Sequence, residues 1–282
     1  SHAGNIRKEG FLMPTPLLSI GIIFRNDIRC LERCLQSMQE LRRVIPCQLV
    51  MADTGSTDGS REVAARYADV LIDFAWINDF AAARNAVLDH CTGEWYLTVD
   101  SDEWMDENFA KEMTVFLRSP QASQSNMIRL MQRNFTDTAL KEYSDSPVAR
   151  MGRRRKGKLR YKNPIHELLY FTDKKEEQIY MLPRVILNHD GYLEVTRGAR
   201  EAKRHRNMVL LRAEHEKEPH DLRTLLHCIN SSETEAERRK FVSCTLEELK
   251  KQKNISNYHS KLYQKCVKFY FNVKEYDNAI GC

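Results

Sequence analysis

The chain has 282 residues, 42% of them hydrophobic, a net charge of +5 and eight cysteines. That length and apolar content suit one large domain, or one domain with an appendage, around an ordinary buried core. The positive excess is modest and sits mostly in one run, Arg150 to Lys162, which points to a local anionic contact, and the chain lacks the basic and aromatic interleaving that stacks bases, which argues against a nucleic-acid-binding protein.

The cysteines form no CxxC pair, and Cys30 and Cys34 have no matching Cys/His pair nearby. Idle thiols in a reducing cytosol are therefore expected rather than a zinc site. No stretch approaches the roughly 18 apolar residues needed to cross a bilayer. Ser1 to Gly10 is polar and lacks the apolar core of a signal peptide. A cytoplasmic protein without a transmembrane segment is expected.

In chain order, Leu17 to Phe24 reads as a buried strand entered through Pro14 and Pro16. Ile28, Leu31, Leu35 and Met38 follow at helical spacing. Gln48 to Ala52 is a second strand that stops at the turn formers Asp53-Thr54-Gly55-Ser56-Thr57-Asp58-Gly59. A short helix over Arg61 to Tyr67, a strand over Val70 to Phe74 and a helix over Asn78 to Cys91 come next. Trp95 to Val99 is a fourth apolar strand, ending in Asp100-Ser101-Asp102-Glu103, with a helix from about Asn108 to Leu117 behind it. This alternation predicts a parallel sheet covered on both faces, with ligands at the carboxyl ends of its strands.

After Asn126 the rhythm shifts to shorter strands: Met127 to Gln132, around Arg150, Arg160 to Tyr161, His166 to Phe171 and Arg184 to Asn188. From Thr196 the pattern is helical, with helices over Leu222 to Ser231, Ala236 to Gln252 and Tyr258 to Asn272, and a last one begun at Lys274 to Ala279. Paired helices of this kind predict a repeat of helical hairpins, cut short at its end.

Three clusters carry chemistry. Asp100 and Asp102, one residue apart at the end of an apolar strand, offer the oxygen ligands that a hard divalent cation needs, with open positions for phosphate oxygens. The bland alternative is a solvated acidic turn. In the second cluster Gly55 and Gly59 permit close approach of a ligand to backbone, and Asp53 stands where a carboxylate meets a ribose or base. Asp58 is placed to cap the next helix, so a polar turn is the competing reading. The third is Trp76 to Asn85, where small alanines allow close packing and Arg84 is placed either to grip a diphosphate or to pair with a carboxylate. Trp104 serves equally well as a sugar-stacking ring or as packing.

In order and wording these segments resemble the family 2 glycosyltransferases of the GT-A fold. SIGIIFRND is similar to that family's opening strand and loop, ADTGSTDGS to its nucleotide-binding turn, WINDFAAARN to its donor helix and YLTVDSDEW to its metal motif. The resemblance covers about Leu17 to Leu211. Its nearest subgroup is the bacterial members with tetratricopeptide-like repeats, which include peptide S-glycosyltransferases. It implies an α/β GT-A αβα domain with a mixed, mainly parallel sheet over residues 14–195, followed by α-helical hairpins over 196–282.

The resemblance implies further that Phe24, Asn26, Asp53 and Asp58 line the nucleoside pocket, with Gly55, Ser56, Asn78, Ser101 and Trp104 completing the donor site and Arg84 near the diphosphate. Asp100 and Asp102 then face metal and ribose, with His189, in the segment Asn188-His189-Asp190-Gly191-Tyr192, as third metal ligand for Mn2+ or Mg2+. Tyr161 to Glu167 is similar to the family's later His-Glu motif near the acceptor. Two features depart from the pattern. The opening loop reads Phe-Arg-Asn-Asp, and the run Arg153 to Lys158, Lys156 included, is unusually basic; a solvated turn is its favoured reading over a loop across the phosphates.

The implied reaction is inverting transfer of a hexose from a UDP-sugar to a peptide, glycan or lipid-linked acceptor. Inversion needs a general base, for which Glu167 is the first candidate, with Glu103 and His166 behind it. Two other readings stand beside it. A nucleotidyltransferase would carry a glycine-rich loop after the first strand, where FRND has none. A non-catalytic nucleotide-sugar-binding module would use the helical tail to hold a protein. The sugar, the acceptor and the oligomeric state are not legible in the sequence.

Overall fold

The computed structural model describes residues 15–155, 157–191, 193, 197–251 and 257–282. The expectations for Pro14, Lys156 and Tyr192 and the boundary at 195–196 lie outside the described residues. Two compact units result. The first takes the described chain up to Ile77, Ala81–Lys162 and the described residues from Glu167 to Leu193; the second takes Asn78–Phe80, Asn163–His166 and the later helices.

In the first unit the run after Pro16 forms β1 (Leu18–Phe24), buried at every position but Ile23. Burial on both faces is why the run is apolar without alternation. One helix was expected next, but the chain makes α1 (Leu31–Ser37) and α2 (Gln39–Val44), interrupted at Met38. The Ser37 hydroxyl donates to the Cys34 carbonyl at 2.7 Å and so competes with the helical ladder. Ile28 lies ahead of α1 and is exposed.

The chain continues through β2 (Cys47–Asp53), α3 (Ser60–Tyr67), β3 (Val70–Asp73), α4 (Phe80–His90), β4 (Trp95–Thr98) and β5 (Glu103–Met105). It goes on with α5 (Phe109–Leu117), α6 (Pro120–Gln124), β6 (Met127–Phe135), β7 (Tyr143–Arg153), β8 (Leu159–Lys162), β9 (Leu168–Phe171) and β10 (Ile179–His189). Among the described residues the main sheet has eight strands in the order β3-β2-β1-β4-β7-β6-β10-β5.

The strands β3, β2, β1 and β4 are mutually parallel, as the strand–helix alternation predicts. The sheet as a whole is mixed, as the resemblance implies. The β6–β7 hairpin needs no crossover helix, so β7 runs antiparallel to both β4 and β6. β10 then adds parallel to β6, and β5 antiparallel to β10. β5 was unexpected: three residues inside an acidic run pair only because β10 returns beside them.

Two cores fill the faces of this sheet. On one, Leu18, Ile20 and Ile22 meet Leu31, Leu35 and Met38 with Phe109 and Met113. On the other, Val50, Ala52 and Tyr96 meet Ala81 and Val87 of α4, together with Leu159 and Phe171 from the separate β8–β9 ladder.

The second unit is built on α7 (Arg197–Lys217), α8 (Leu222–Ser231), α9 (Glu235–Lys251), α10 (Asn257–Asn272) and α11 (Tyr276–Gly281). Asp221 caps α8, its carboxylate accepting from the backbone of Thr224 at 2.9 Å. Met208, Leu211, Leu225, Val242, Leu262 and Cys266 form its core. Among the described residues no helix is long and apolar enough to cross a membrane.

Candidate active site

Because β1, β2 and β4 are parallel, their carboxyl ends lie along one edge, with Phe24 in register with Asp53. Past β2 the Asp53 carboxylate accepts the N–H groups of Gly55 and Ser56 at 3.0 and 2.8 Å. This closes a tight turn through Gly55, whose φ of +105° suits only glycine. The loop after β1 is laced onto it. Asn26 donates its N–H to the Ser56 hydroxyl at 3.1 Å and accepts the Thr57 N–H at 2.8 Å. Asp58 accepts from Ile28 N–H at 3.1 Å and from Ser60 N–H at 3.0 Å.

The loop after β4 joins through Ser101, whose hydroxyl donates to Asp27 at 2.6 Å. Burial raises the Asp27 pKa, and the Asp102 and Asp58 charges add to the rise against the hydrogen bonds from Ser101 and Arg25. Phe24, Asn26, Asp53, Gly55, Ser56, Asp58 and Ser101 are thus brought together by three strand ends.

Asp100 is gripped from two sides. One oxygen takes Arg84 at 2.5 Å and the other takes Arg150 at 2.6 Å. Burial alone would raise the Asp100 pKa, but Arg150 and Arg84 hold it well below the usual carboxylate range. Arg84 also donates to Glu167 at 2.6 Å and to the Thr98 hydroxyl at 2.7 Å. Its three nitrogens therefore clamp β4 to the segment after β8, with the side chain 7% exposed.

Arg150 reaches Asp100 because of an irregularity in β7. Ile128 pairs with Met151 and Arg129 with Ala149, so Arg150 is the extra residue of a β-bulge. Bulges re-aim side chains, and this one sends the guanidinium to Asp100 and, at 2.5 Å, to Glu103. Glu103 has no exposed surface, and it also accepts from Gln132 at 2.6 Å and from the Asp100 N–H at 2.8 Å. Burial raises its pKa, with Arg150 opposing and the Asp100 charge adding. As a candidate base it is walled in.

Asp102 turns the other way. Its Oδ2 lies 3.3 Å from His189 Nε2. His189 Nδ1 faces the Asn134 amide oxygen at 2.9 Å, which places a proton on Nδ1 and aims Nε2 at Asp102. Burial tends to lower the His189 pKa, but the hydrogen bond and charge of Asp102, with Glu103 and Asp100 behind, raise it overall.

Whether a divalent ion fits can be tested on these atoms. Two neighbouring ligands of an octahedral ion at about 2.1 Å stand roughly 3 Å apart, close to the observed 3.3 Å. Gly191 presses on the same corner: a methyl there would come within 2.1 Å of Asp102 Oδ2 and 2.6 Å of His189 Nε2. Among the described residues no three His, Cys, Asp or Glu side chains gather to hold a metal by themselves. Asp102 and His189 suit an ion that takes its remaining ligands from phosphate and water. Asp100, the other carboxylate expected to face the metal, has both oxygens on guanidinium groups.

Trp104 stacks on Phe135 at 5.7 Å and carries Arg33 over its ring at 3.9 Å. Arg33 also pairs with Asp190 at 2.8 Å. Asn78 and His166 belong to the second unit, where His166 stacks on His227 at 3.7 Å. Arg150, Asn134, Gln132 and Asp27 were not anticipated. Arg150 stood in a noticed basic run, but its reach depends on strand register, which has no local signature.

A mixed, mainly parallel sheet with two carboxylates past its fourth strand, followed by helical hairpins, is the GT-A arrangement that the resemblance implies. A sequence model described as Glycosyl transferase family 2 matches residues 19–175, and the chain belongs to that family. Over 181 residues it is 29% identical to a TPR repeat-containing protein of Synechococcus elongatus, a match covering 62% of this chain and 42% of that protein. Over 100 residues it is 31% identical to the SPbeta prophage-derived glycosyltransferase SunS of Bacillus subtilis, covering 34% and 23%. The chain thus spans less than half the length of these relatives. The crystal structure of S. aureus TarS 1-349 in complex with UDP-GlcNAc shares the fold at a TM-score of 0.52, with 13% identity and coverage of 93% of this chain and 89% of that one.

Proposed function

We propose that the chain is a metal-dependent inverting glycosyltransferase that moves a hexose from a UDP-sugar to an acceptor. The observation that carries this is the Asp102–His189 pair, 3.3 Å apart and set by Asn134, inside a family 2 domain. The UDP-GlcNAc complex of TarS supports a UDP-linked donor. In this reading residues 14–195 form the catalytic domain, 196–282 a tetratricopeptide-like appendage, and the reaction is cytoplasmic.

Asp102 and His189 would hold Mn2+ or Mg2+, which would supply Lewis-acid stabilisation of the departing diphosphate. The loop formed by Asn26, Asp53, Gly55, Ser56 and Asp58 would seat the nucleoside. Asp100, neutralised by Arg84 and Arg150, would keep the loop that carries Asp102 in place. The acceptor oxygen bonds to the anomeric carbon from the face opposite the diphosphate. The bond from that carbon to the diphosphate oxygen breaks, and its electron pair leaves with UDP. The acceptor proton passes to Glu167, which among the three candidate bases is in the first unit and 15% exposed.

Calorimetric titration of UDP with and without Mn2+ tests the reading, alongside assays of UDP-sugar hydrolysis and transfer. Metal-dependent UDP binding that disappears in Asp102→Ala, together with turnover, supports it. Binding without hydrolysis or transfer on any acceptor favours the non-catalytic module instead.

A further inference from the structure

A cavity of about 500 Å³ opens over the β6–β7 hairpin, within the range of about 300–1,000 Å³ typical of small-molecule sites. Its polar lining is Gln132, Asn134, Thr136, Ser144 and Ser146, and Phe135 supplies an apolar ring. Leu193 closes one side, held there by its N–H to the Asp190 carbonyl at 2.7 Å.

Strand register explains this lining. Gln132 pairs with Ser146 and Asn134 with Ser144. Partners across a ladder point to the same face. On the other side of β6, Asn134 pairs with His189 and Gln132 with Leu187, and His189 in turn pairs with Glu103. The cavity floor and the Asp102–His189 corner are thus one continuous sheet face, joined by the Asn134 to His189 hydrogen bond.

None of the lining side chains is charged. Amides and hydroxyls each both donate and accept hydrogen bonds, as sugar hydroxyls do. An anionic acceptor would call for Arg or Lys, and a thiol is too weak a partner to need such a set. An extended peptide would instead pair with the neighbouring backbone edge. Among the described residues Tyr143 to Ala149 of β7 pairs only with β6, but Pro147 interrupts that edge, and proline there opposes strand addition.

We propose that this cavity binds the sugar of a glycan or glycoside acceptor, with its attacking hydroxyl toward the Asp102–His189 corner. The assignment rests on the donor reading above and narrows its acceptor to one that presents a sugar, free or lipid-linked, rather than a peptide.

Saturation-transfer NMR tests it directly, using methyl hexopyranosides and a reduced cysteine-containing peptide as probes and Mg2+ as the ion. The variants are Ser144→Leu with Ser146→Leu, both at exposed positions, and Thr136→Tyr as an independent block at the rim. Methyl glycosides should show saturation with the wild type, and their apparent affinity should fall by about tenfold or more in each variant. UDP binding by calorimetry should be unchanged. Glycosides that fail to bind the wild type, or bind the variants equally well, overturn the assignment, as does saturation of the peptide alone. Loss of the donor reading is a separate result, since it is read from UDP titration of the wild type and the glycoside arm needs no nucleotide.

Discussion

Arg150 Nη2 lies 2.6 Å from Asp100 and 2.5 Å from Glu103, so one guanidinium from β7 bridges a partly exposed carboxylate and a fully buried one. Without it Glu103 would keep its charge in a fully buried position with no guanidinium beside it, while Asp100 would keep Arg84. Arg150→Met should therefore destabilise the first unit by about 3–5 kcal/mol, lowering its melting temperature on the order of 10 °C. Thermal melts by circular dichroism check this, and Arg150→Lys should restore part of the loss.

Asn134 acts on His189 rather than on a ligand of its own at that corner. Asn134→Ala removes the acceptor that fixes the imidazole. Mn2+ affinity should fall by about 10–100-fold, with the melting temperature nearly unchanged. Calorimetric titration of Mn2+ in the presence of UDP measures it.

Gly191→Ala puts a methyl where Asp102 and His189 now meet. The clash should cost about 1–3 kcal/mol of stability and drive the two side chains apart. Electron paramagnetic resonance of Mn2+ should show free ion in the variant at concentrations where the wild type binds it.

Glu167→Gln keeps an oxygen to accept from Arg84 but cannot take a proton. Turnover should drop by about 10²–10⁴-fold, with UDP affinity intact. Steady-state kinetics beside UDP titration distinguishes this from a folding defect, which would weaken both.

His227 in α8 makes the second unit acid-sensitive. Burial, with the neighbouring His166 and Arg223, lowers its pKa from 6.5 to about 3. Between those values the unfolded chain binds a proton that the folded chain does not, so stability rises with pH. The contribution is complete above about pH 6.5 and is lost as pH falls toward 3, on the order of 1–3 kcal/mol. Melts at pH 7 and pH 4 should differ less in His227→Phe than in the wild type.

Much of this architecture is legible in local sequence. Leu18–Phe24 and Trp95–Thr98 read as strands because both faces are buried, and the Asp53 to Gly59 turn is visible in its residue types. What escapes is set by pairing between distant segments. β5 exists only where β10 lies beside Glu103–Met105. The role of Arg150 depends on a one-residue shift between β6 and β7. Asn134 and Gln132 read as ordinary polar strand residues until β10 and β5 bring His189 and Glu103 to them. Asp100 and Asp102 look equivalent in the sequence, but two arginines claim the first and a histidine the second.

The bulge at Arg150 divides β7 mechanically. From Met151 the strand is locked to β4, while from Tyr143 to Ala149 it follows its hairpin partner alone. Insertions or deletions at the hairpin tip, near residues 137–142, should be absorbed before they reach the carboxylates. The tip can thus vary in length while the loop that carries Asp100 stays put, and grafted hairpin tips offer engineers the same independence.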